Sequence, residues 1–330
     1  MKALALFSGG LDSALAIKVI KDQGIEVIAL NFVSHFFGGK NEKAENMANQ
    51  LGVQLEYVNF SQIHTDILKD PVHGRGKNMN PCIDCHALMF KTAGDLLKKY
   101  DADFIISGEV LGQRPMSQNY QALEKVKAMA PGLEELIVRP LSAKLLPESK
   151  PETLGWVDRD KLLDINGRSR KVQIELMDQY GLVDYPTPGG GCLLTDPAYS
   201  ARLKMLENDG LLEDEFSPLF YLFRSGRVFR FDKGRYLIVG REEADNNKIQ
   251  EFKEFGNLYI TSQEVSGPDI LGYGDLTQEE KEFAINVFSR YSKYKGKEEI
   301  KLTVNNEDVI LPPIDLDALS ILIKKYQITM

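Results

Sequence analysis

A short, mostly apolar run, KALALF (2–7), breaks at SGG and gives way to LDSALAIKVIKDQG, where Leu11, Leu15, Ile17, Val19 and Ile20 form an apolar face up to Gly24. A strand that turns through glycines straight into an amphipathic helix constrains the chain more than any other feature. The pattern recurs. EVIALNF (26–32), LEYVNF (55–60) and DFIISG (103–108) read as strands, and NEKAENMANQLG (41–52), SQIHTDILKD (61–70) and HALMFKTAGDLLKKY (86–100) read as helices. Strands apolar on both sides and separated by helices need cover on both faces, so the expected class is α/β with a parallel sheet between helices. LIVRPLSAKLLPE (136–148) adds a strand and turn, and KVQIELMDQYG (171–181) and PAYSARLKMLENDG (197–210) add helices, with a rigid glycine-rich loop, PTPGGGC (186–192), between them. Near 210 the texture changes. FYLFRSGRVFRFDKGRYLIVG reads as aromatic and β-branched strands separated by Ser-Gly and Lys-Gly turns. The expected division is a sheet domain over 1–209 and a smaller α+β domain over 210–330.

The stretch FSGGLDS (7–13) lies between the first strand and the first helix. Helix-end N–H groups favour phosphate there, and two glycines let a backbone approach it closely. Neither G-x-x-x-x-G-K-[ST] nor G-x-G-x-x-G is present, which sets aside the P-loop and the dinucleotide fingerprint. Ser8 and Ser13 add hydroxyls, and Asp12 can orient the helix start or meet a metal ion.

Three cysteines occur in 330 residues: Cys82 and Cys85 in NMNPCIDCH, and Cys192 in PGGGC. A low, odd count argues against a secreted disulfide scaffold and for a reducing cytoplasm. MKALALFSGG is too short an apolar run for a signal-peptide core, and nothing approaches the ~18 apolar residues of a membrane span. Four readings of the cysteines stay open: a structural zinc completed by His86, a redox pair, unrelated core thiols, or three ligands of a [4Fe–4S] cluster. His35, His64 and His73 are scattered, and none is proposed as a general base.

SGGLDS resembles the pyrophosphate loop of the PP-loop ATP pyrophosphatase superfamily, whose members cleave ATP between its α and β phosphates and adenylate a substrate oxygen. The resemblance implies ATP with Mg²⁺ on Ser8, Gly9, Gly10, Asp12 and Ser13, with adenine near Asn31 and Phe32. ISGEVLG (106–112) resembles the later strand end, where Gly108 and Glu109 face the nucleotide. NMNPCIDCH is similar to the N-P-C-x-x-C segment of 2-thiouridine and 4-thiouridine synthetases. Certain members of that branch pair C-x-x-C with one distant cysteine on a cluster, and others use two cysteines as persulfide carrier and resolving thiol. The cluster reading, on Cys82, Cys85 and Cys192, is the preferred one, because all three cysteines match it.

The resemblance implies an ATP-dependent tRNA sulfurtransferase, with Asp12 and the cysteines at the chemistry and sulfide or a sulfur carrier as donor. A net charge of −8 excludes a protein coated in basic surface but not a local basic patch. Candidate RNA contacts are Arg114, Arg168, Arg170 and Lys171, then Arg227 and Arg230 within FRSGRVFRFDKGRYLIVGREEADNNKI, which resembles the small RNA-binding NFACT-R module. Arg224, Lys233, Arg235 and Arg241 add to the local basic density. A homodimer stays open and no membrane partner is expected. The alternatives are a small-molecule substrate for the same chemistry, or a non-catalytic RNA-binding protein with a structural zinc.

Overall fold

The computed structural model describes residues 1–39, 41–185, 191–293 and 299–328. Of the glycine-rich loop 186–192, only Gly191 and Cys192 fall within them. The chain divides into two compact units, Met1–Thr195 and Asp196–Met330.

The first unit holds five parallel strands, β1 (Lys2–Leu6), β2 (Glu26–Val33), β3 (Gln54–Asn59), β4 (Phe104–Ser107) and β5 (Ile137–Val138), in the order β3-β2-β1-β4-β5. Helices α1 (Leu11–Lys21), α2 (Glu42–Leu51), α3 (Ser61–Lys69), α4 (Cys82–Tyr100), α5 (Tyr120–Ala128), α6 (Lys150–Thr153) and α7 (Lys171–Gln179) accompany them. The pleat sorts the side chains as expected for a sheet covered on both faces. Ala3, Ala5, Val27, Ala29 and Ile106 share a core with Leu15 and Ile17 of α1 and Met177 of α7. Leu4, Ile28, Leu30 and Ile105 share another with Phe90 of α4 and Val126 of α5. The chain runs outward from β1 to β3, then crosses back to lay β4 on the other side of β1. Leu6 pairs with Ser107 in that register, so the ends of β1 and β4 open side by side at the point where strand order reverses. Open α/β sheets bind ligands at this place.

Helix α4 begins at Cys82, not at residue 86, so the cysteine pair belongs to its first turn. Pro81 is the N-cap, where its missing N–H costs no helical hydrogen bond, and Asp84 places negative charge at the positive helix end.

The second unit carries a six-stranded antiparallel sheet: β6 (Arg227–Asp232), β7 (Arg235–Val239), β8 (Leu258–Thr261), β9 (Ile270–Tyr273), β10 (Ile300–Val304) and β11 (Glu307–Leu311), in the order β11-β10-β8-β9-β7-β6. Its helices are α8 (Pro197–Asp209), α9 (Ser217–Leu222), α10 (Glu243–Glu251), α11 (Gln278–Tyr291) and α12 (Leu316–Tyr326). Phe283 and Phe288 of α11 and Leu319 and Ile323 of α12 pack into the core with Phe229, Leu237 and Ile260. Two details differ from the expectation. The segment 217–222 is helical, because Ser-Pro opens a turn that buries Leu219, Phe220 and Leu222. Helix α8 joins the second unit, so the division falls before the change of texture near 210. The Tyr199 hydroxyl donates to the carbonyl of Phe220, the Arg202 guanidinium to that of Phe223, and Asp209 pairs with Arg230.

Candidate active site

A cavity of about 500 Å³ opens in the first unit where β1 and β4 end. The glycine loop forms its floor. Gly9 has φ +76°, and a Cβ there would stand 2.8 Å from the backbone of Ala44 on α2, so only glycine fits on both counts. Helix α1 has no side-chain cap at Gly10, which leaves its first N–H groups open to an anion. The Ser13 hydroxyl donates to the Gly10 carbonyl at 2.9 Å and lies 3.4 Å from that of Ser8. Gly108 closes the loop from the β4 side. A Cβ on it would come within 2.5 Å of the Asp12–Ser13 peptide, so a larger residue would push α1 off the strand ends.

Polar atoms on this wall stay unmatched. Asp12 Oδ2 accepts from Gln113 Nε2 at 2.7 Å and faces Arg170 at 3.8 Å, whereas its Oδ1 is buried without a hydrogen-bond partner among the described residues. Asn31 donates to the Phe7 carbonyl, but its Oδ1 and the Oε1 of Gln118 are likewise unmatched. An ionised carboxylate oxygen held like this suits a divalent cation, so Asp12 fits the Mg²⁺ of the sequence reading.

Beside the loop, Glu109 is buried and receives Arg139 Nε at 2.8 Å and the Ser107 hydroxyl at 3.1 Å, with His86 Nδ1 2.8 Å away. Burial alone would raise its carboxyl. The charge of Arg139 and the bonds from His86 and Arg139 overcome that and hold it down at about 2. Glu109 is therefore a fixed anion that orients His86, and His86 is committed to Glu109.

The cysteines line the same cavity. Cys82 and Cys85 sit three residues apart on one face of α4, and Asn80 Nδ2 donates to Cys82 Sγ at 3.3 Å. Two contacts return Cys192 to them: Leu193 N–H donates to the Phe36 carbonyl at 3.0 Å, and Asn78 Nδ2 to that of Thr195 at 2.6 Å. Burial pushes the Cys85 thiol well up, and the nearby Cys192 and Cys82 thiols push it further. A buried thiol raised in this way ionises only where a cation compensates, so Cys85 beside Cys82 and Cys192 suits a metal cluster or a protonated state. Among the described residues, no three His, Cys, Asp or Glu side chains are grouped so as to hold a single metal ion.

Of the residues singled out in the sequence, Ser8, Gly10, Asp12, Ser13, Asn31, Phe32, Gly108, Glu109, Arg114, Arg170 and the three cysteines line this one cavity. Gly9 lies behind the wall, against α2. Arg168 and Lys171 are exposed outside it. In the second unit Arg230 is bound through Nε and Nη2 to Asp209, and Arg227 lies 4.1 Å from the centre of the Tyr291 ring while donating to the Gly240 carbonyl. Arg235 pairs with Glu280 and Arg241 with Asp245. Much of the basic density of that segment is thus spent inside the fold.

Sequence reasoning missed Arg139, Gln113 and His64. For Arg139 a signal existed: a cation directly after the apolar LIV run, at the same strand end as Glu109. Gln113 carried none. His64 lines the cavity fully buried, stacked on Phe60 at 5.2 Å, with neither ring nitrogen hydrogen-bonded among the described residues.

Residues 1–144 match the family described as thiamine biosynthesis protein (ThiI), and residues 226–316 match the NFACT protein RNA binding domain. An uncharacterized protein of Methanocaldococcus jannaschii is 33% identical over 112 residues, 33% of this chain and 41% of that protein. A probable tRNA sulfurtransferase of Thermococcus kodakarensis is 30% identical over 146 residues, 42% of this chain and 36% of its own length. The match thus spans about two-fifths of these relatives. A solved 4-thiouridine synthetase, in complex with RNA and ATP, overlays with a TM-score of 0.40 at 19% identity, covering 66% of this chain and 53% of that one. By these matches the N-terminal region is similar to the PP-loop ATP pyrophosphatases of the tRNA thiolation branch, and residues 226–316 are similar to the NFACT-R module.

Proposed function

We propose that the chain is an ATP-dependent sulfurtransferase acting on a nucleobase carbonyl in tRNA. The observation that carries this reading is the shared cavity, lined both by the uncapped helix start at Gly10 and by three cysteines. The α1 N–H groups, Ser8, Ser13 and the backbone at Gly9 and Gly10 bind the triphosphate. Asn31 and Phe32 flank the adenine, and Gly108 and Glu109 close the nucleotide side. Mg²⁺ at Asp12 would neutralise phosphate charge as it develops. Held in that pocket, the α-phosphorus is attacked by the carbonyl oxygen of a uridine or cytidine; the new P–O bond displaces pyrophosphate. Hydrosulfide, from free sulfide or a sulfur carrier, then forms the C–S bond and gives up its proton, and the C–O bond to AMP breaks. A [4Fe–4S] cluster on Cys82, Cys85 and Cys192 would supply an iron with an open position for that sulfide. Arg114 and Arg170 at the cavity, with Arg168 and Lys171 outside it, guide the RNA backbone, whereas Arg227 and Arg230 of the second unit are already engaged within their own fold.

A second reading keeps the reaction and changes the sulfur carrier. Cys82 and Cys192 are half-buried whereas Cys85 is buried, which suits a persulfide on one, charged by a sulfane-sulfur donor, and a resolving thiol on the other. The outer sulfur forms the C–S bond, the resolving thiol takes the inner sulfur into a disulfide, and an external thiol reductant restores the pair. Anaerobic purification with iron and sulfide quantification separates the two. The cluster reading expects about four irons per chain, lost in Cys192→Ala while ATP binding survives. Thiolated product without iron selects the persulfide. One zinc, no iron and no pyrophosphate release in the presence of tRNA would sink both.

A further inference from the structure

Two buried amides stand in series behind Asp12. Gln113, in the loop after β4, donates from Nε2 to Asp12 Oδ2 at 2.7 Å, and Gln173 of α7 donates from Nε2 to Gln113 Oε1 at 2.9 Å. Gln113 is 8% exposed and Gln173 0%. We infer that Gln113, held by Gln173, is a positioning residue that fixes the Asp12 carboxylate so that its second oxygen is presented to the divalent cation of ATP.

The polarity of the chain has only one solution. An ionised carboxylate accepts and never donates, so Gln113 must turn its NH₂ toward Asp12. Its carbonyl then faces away and needs a donor, which Gln173 supplies. The donor chemistry matters as well. An arginine bonded at Oδ2 would neutralise the carboxylate and compete with a cation. An amide fixes the geometry and adds no charge, and the Arg170 guanidinium, 3.8 Å from the same Oδ2, forms an ion pair with the oxygen that the amide already holds, without a hydrogen bond. Meanwhile Oδ1 has no hydrogen-bond partner among the described residues although it is buried. Three segments build this arrangement: the start of α1, the loop after β4, and α7, whose Met177 sits in the same core as Leu15 and Ile17 of α1. The loop is pinned as well, since Gly167 N–H donates to the Leu111 carbonyl at 2.8 Å and Gln113 N–H to that of Val110 at 3.1 Å.

The inference rests on the ATP reading above, and the test separates the two. Full-length protein is titrated with Mg²⁺ in the presence of a non-hydrolysable ATP analogue by calorimetry, and with Mn²⁺ by electron paramagnetic resonance. Gln113→Met keeps length and removes the donor. It is expected to raise the metal concentration for half-saturation roughly tenfold, the size of one lost charge-assisted hydrogen bond, while analogue binding in EDTA is unchanged. Gln173→Leu is expected to shift the same quantity in the same direction by less, and to add nothing in the Gln113→Met background. A merely structural role would lower the melting temperature and leave the metal dependence where it was. Folded Gln113→Met with wild-type metal dependence overturns the inference, as do two additive single effects. If Gln113→Met does not fold, Gln173→Leu with unaltered metal dependence overturns it alone. Wild-type protein with no metal-dependent analogue binding removes the ATP reading too, whereas normal wild-type binding with unaltered variants removes only the relay.

Discussion

Asp12 in the first unit and Asp209 in the second are both carboxylates surrounded by protein, and they are treated oppositely. Asp12 has one oxygen fixed by an amide and the other without a hydrogen-bond partner among the described residues. Asp209 accepts from two nitrogens of Arg230, from the Gly234 N–H and from the Tyr236 hydroxyl. Burial would raise the Asp209 carboxyl, but the bonds from Arg230, Gly234 and Tyr236 prevail and lower it. A buried polar atom left unmatched costs free energy that a fold tolerates where a ligand later supplies the match. The fully matched carboxylate is architecture.

Two substitutions can break this contrast. Asp12→Asn is expected to cut tRNA-dependent pyrophosphate release by about 10³-fold, because a neutral amide cannot hold the cation, while the urea midpoint stays within error of wild type. Loss of fold in Asp12→Asn, or retained activity, would put Asp12 in the same class as Asp209. Asp209→Ala strands the Arg230 guanidinium and the Tyr236 hydroxyl together. It is expected to cost about 2 kcal/mol of stability in urea unfolding of the full chain, because Asp209 is buried and holds several donors while the Arg230 guanidinium, partly exposed, regains water. A loss below about 1 kcal/mol would reclassify the pair as an exposed bridge and return Arg230 to the pool of free cations.

This contrast also explains what could be read before the structure. The strand–glycine–helix start and the alternation after it specify the sheet, because the relevant forces act within a few residues. The convergence of SGGLDS, Gly108–Glu109 and the cysteines depends on the strand order β3-β2-β1-β4-β5, which the alternation by itself leaves open. Pairing across long separations leaves little local mark. Glu109 and Arg139 are 30 residues apart, with only a cation after the LIV run as a hint, and Asp12 and Gln113 are 101 apart with none. The same blindness misled the count of basic residues. Arg230 looks like part of a nucleic-acid face until its carboxylate is seen, 21 residues upstream on a helix of its own.

His64 falls between the two aspartates and gives the smallest and sharpest test. It lines the cavity like Asp12, yet it is buried against Phe60 and beside Phe36 and Phe37. Burial, reinforced by His35 nearby, lowers its value from the usual 6.5 to about 4. The folded value lies below the unfolded one, so the folded state resists protonation. Its contribution is whole above about pH 6.5, drains away as pH falls toward about 4, and changes no further below that. At about pH 5 the loss is about 2 kcal/mol. His64→Phe keeps a ring in the aromatic stack and removes the titration. In urea unfolding of wild type and variant, the difference between them should move about 2 kcal/mol in favour of Phe between pH 7.5 and pH 5, within the order of magnitude of the linkage. If the difference is the same at both values, His64 takes up a proton inside the fold without penalty. That wall of the cavity then behaves as polar surface, and His64 belongs with Asp12 among the groups that await a ligand.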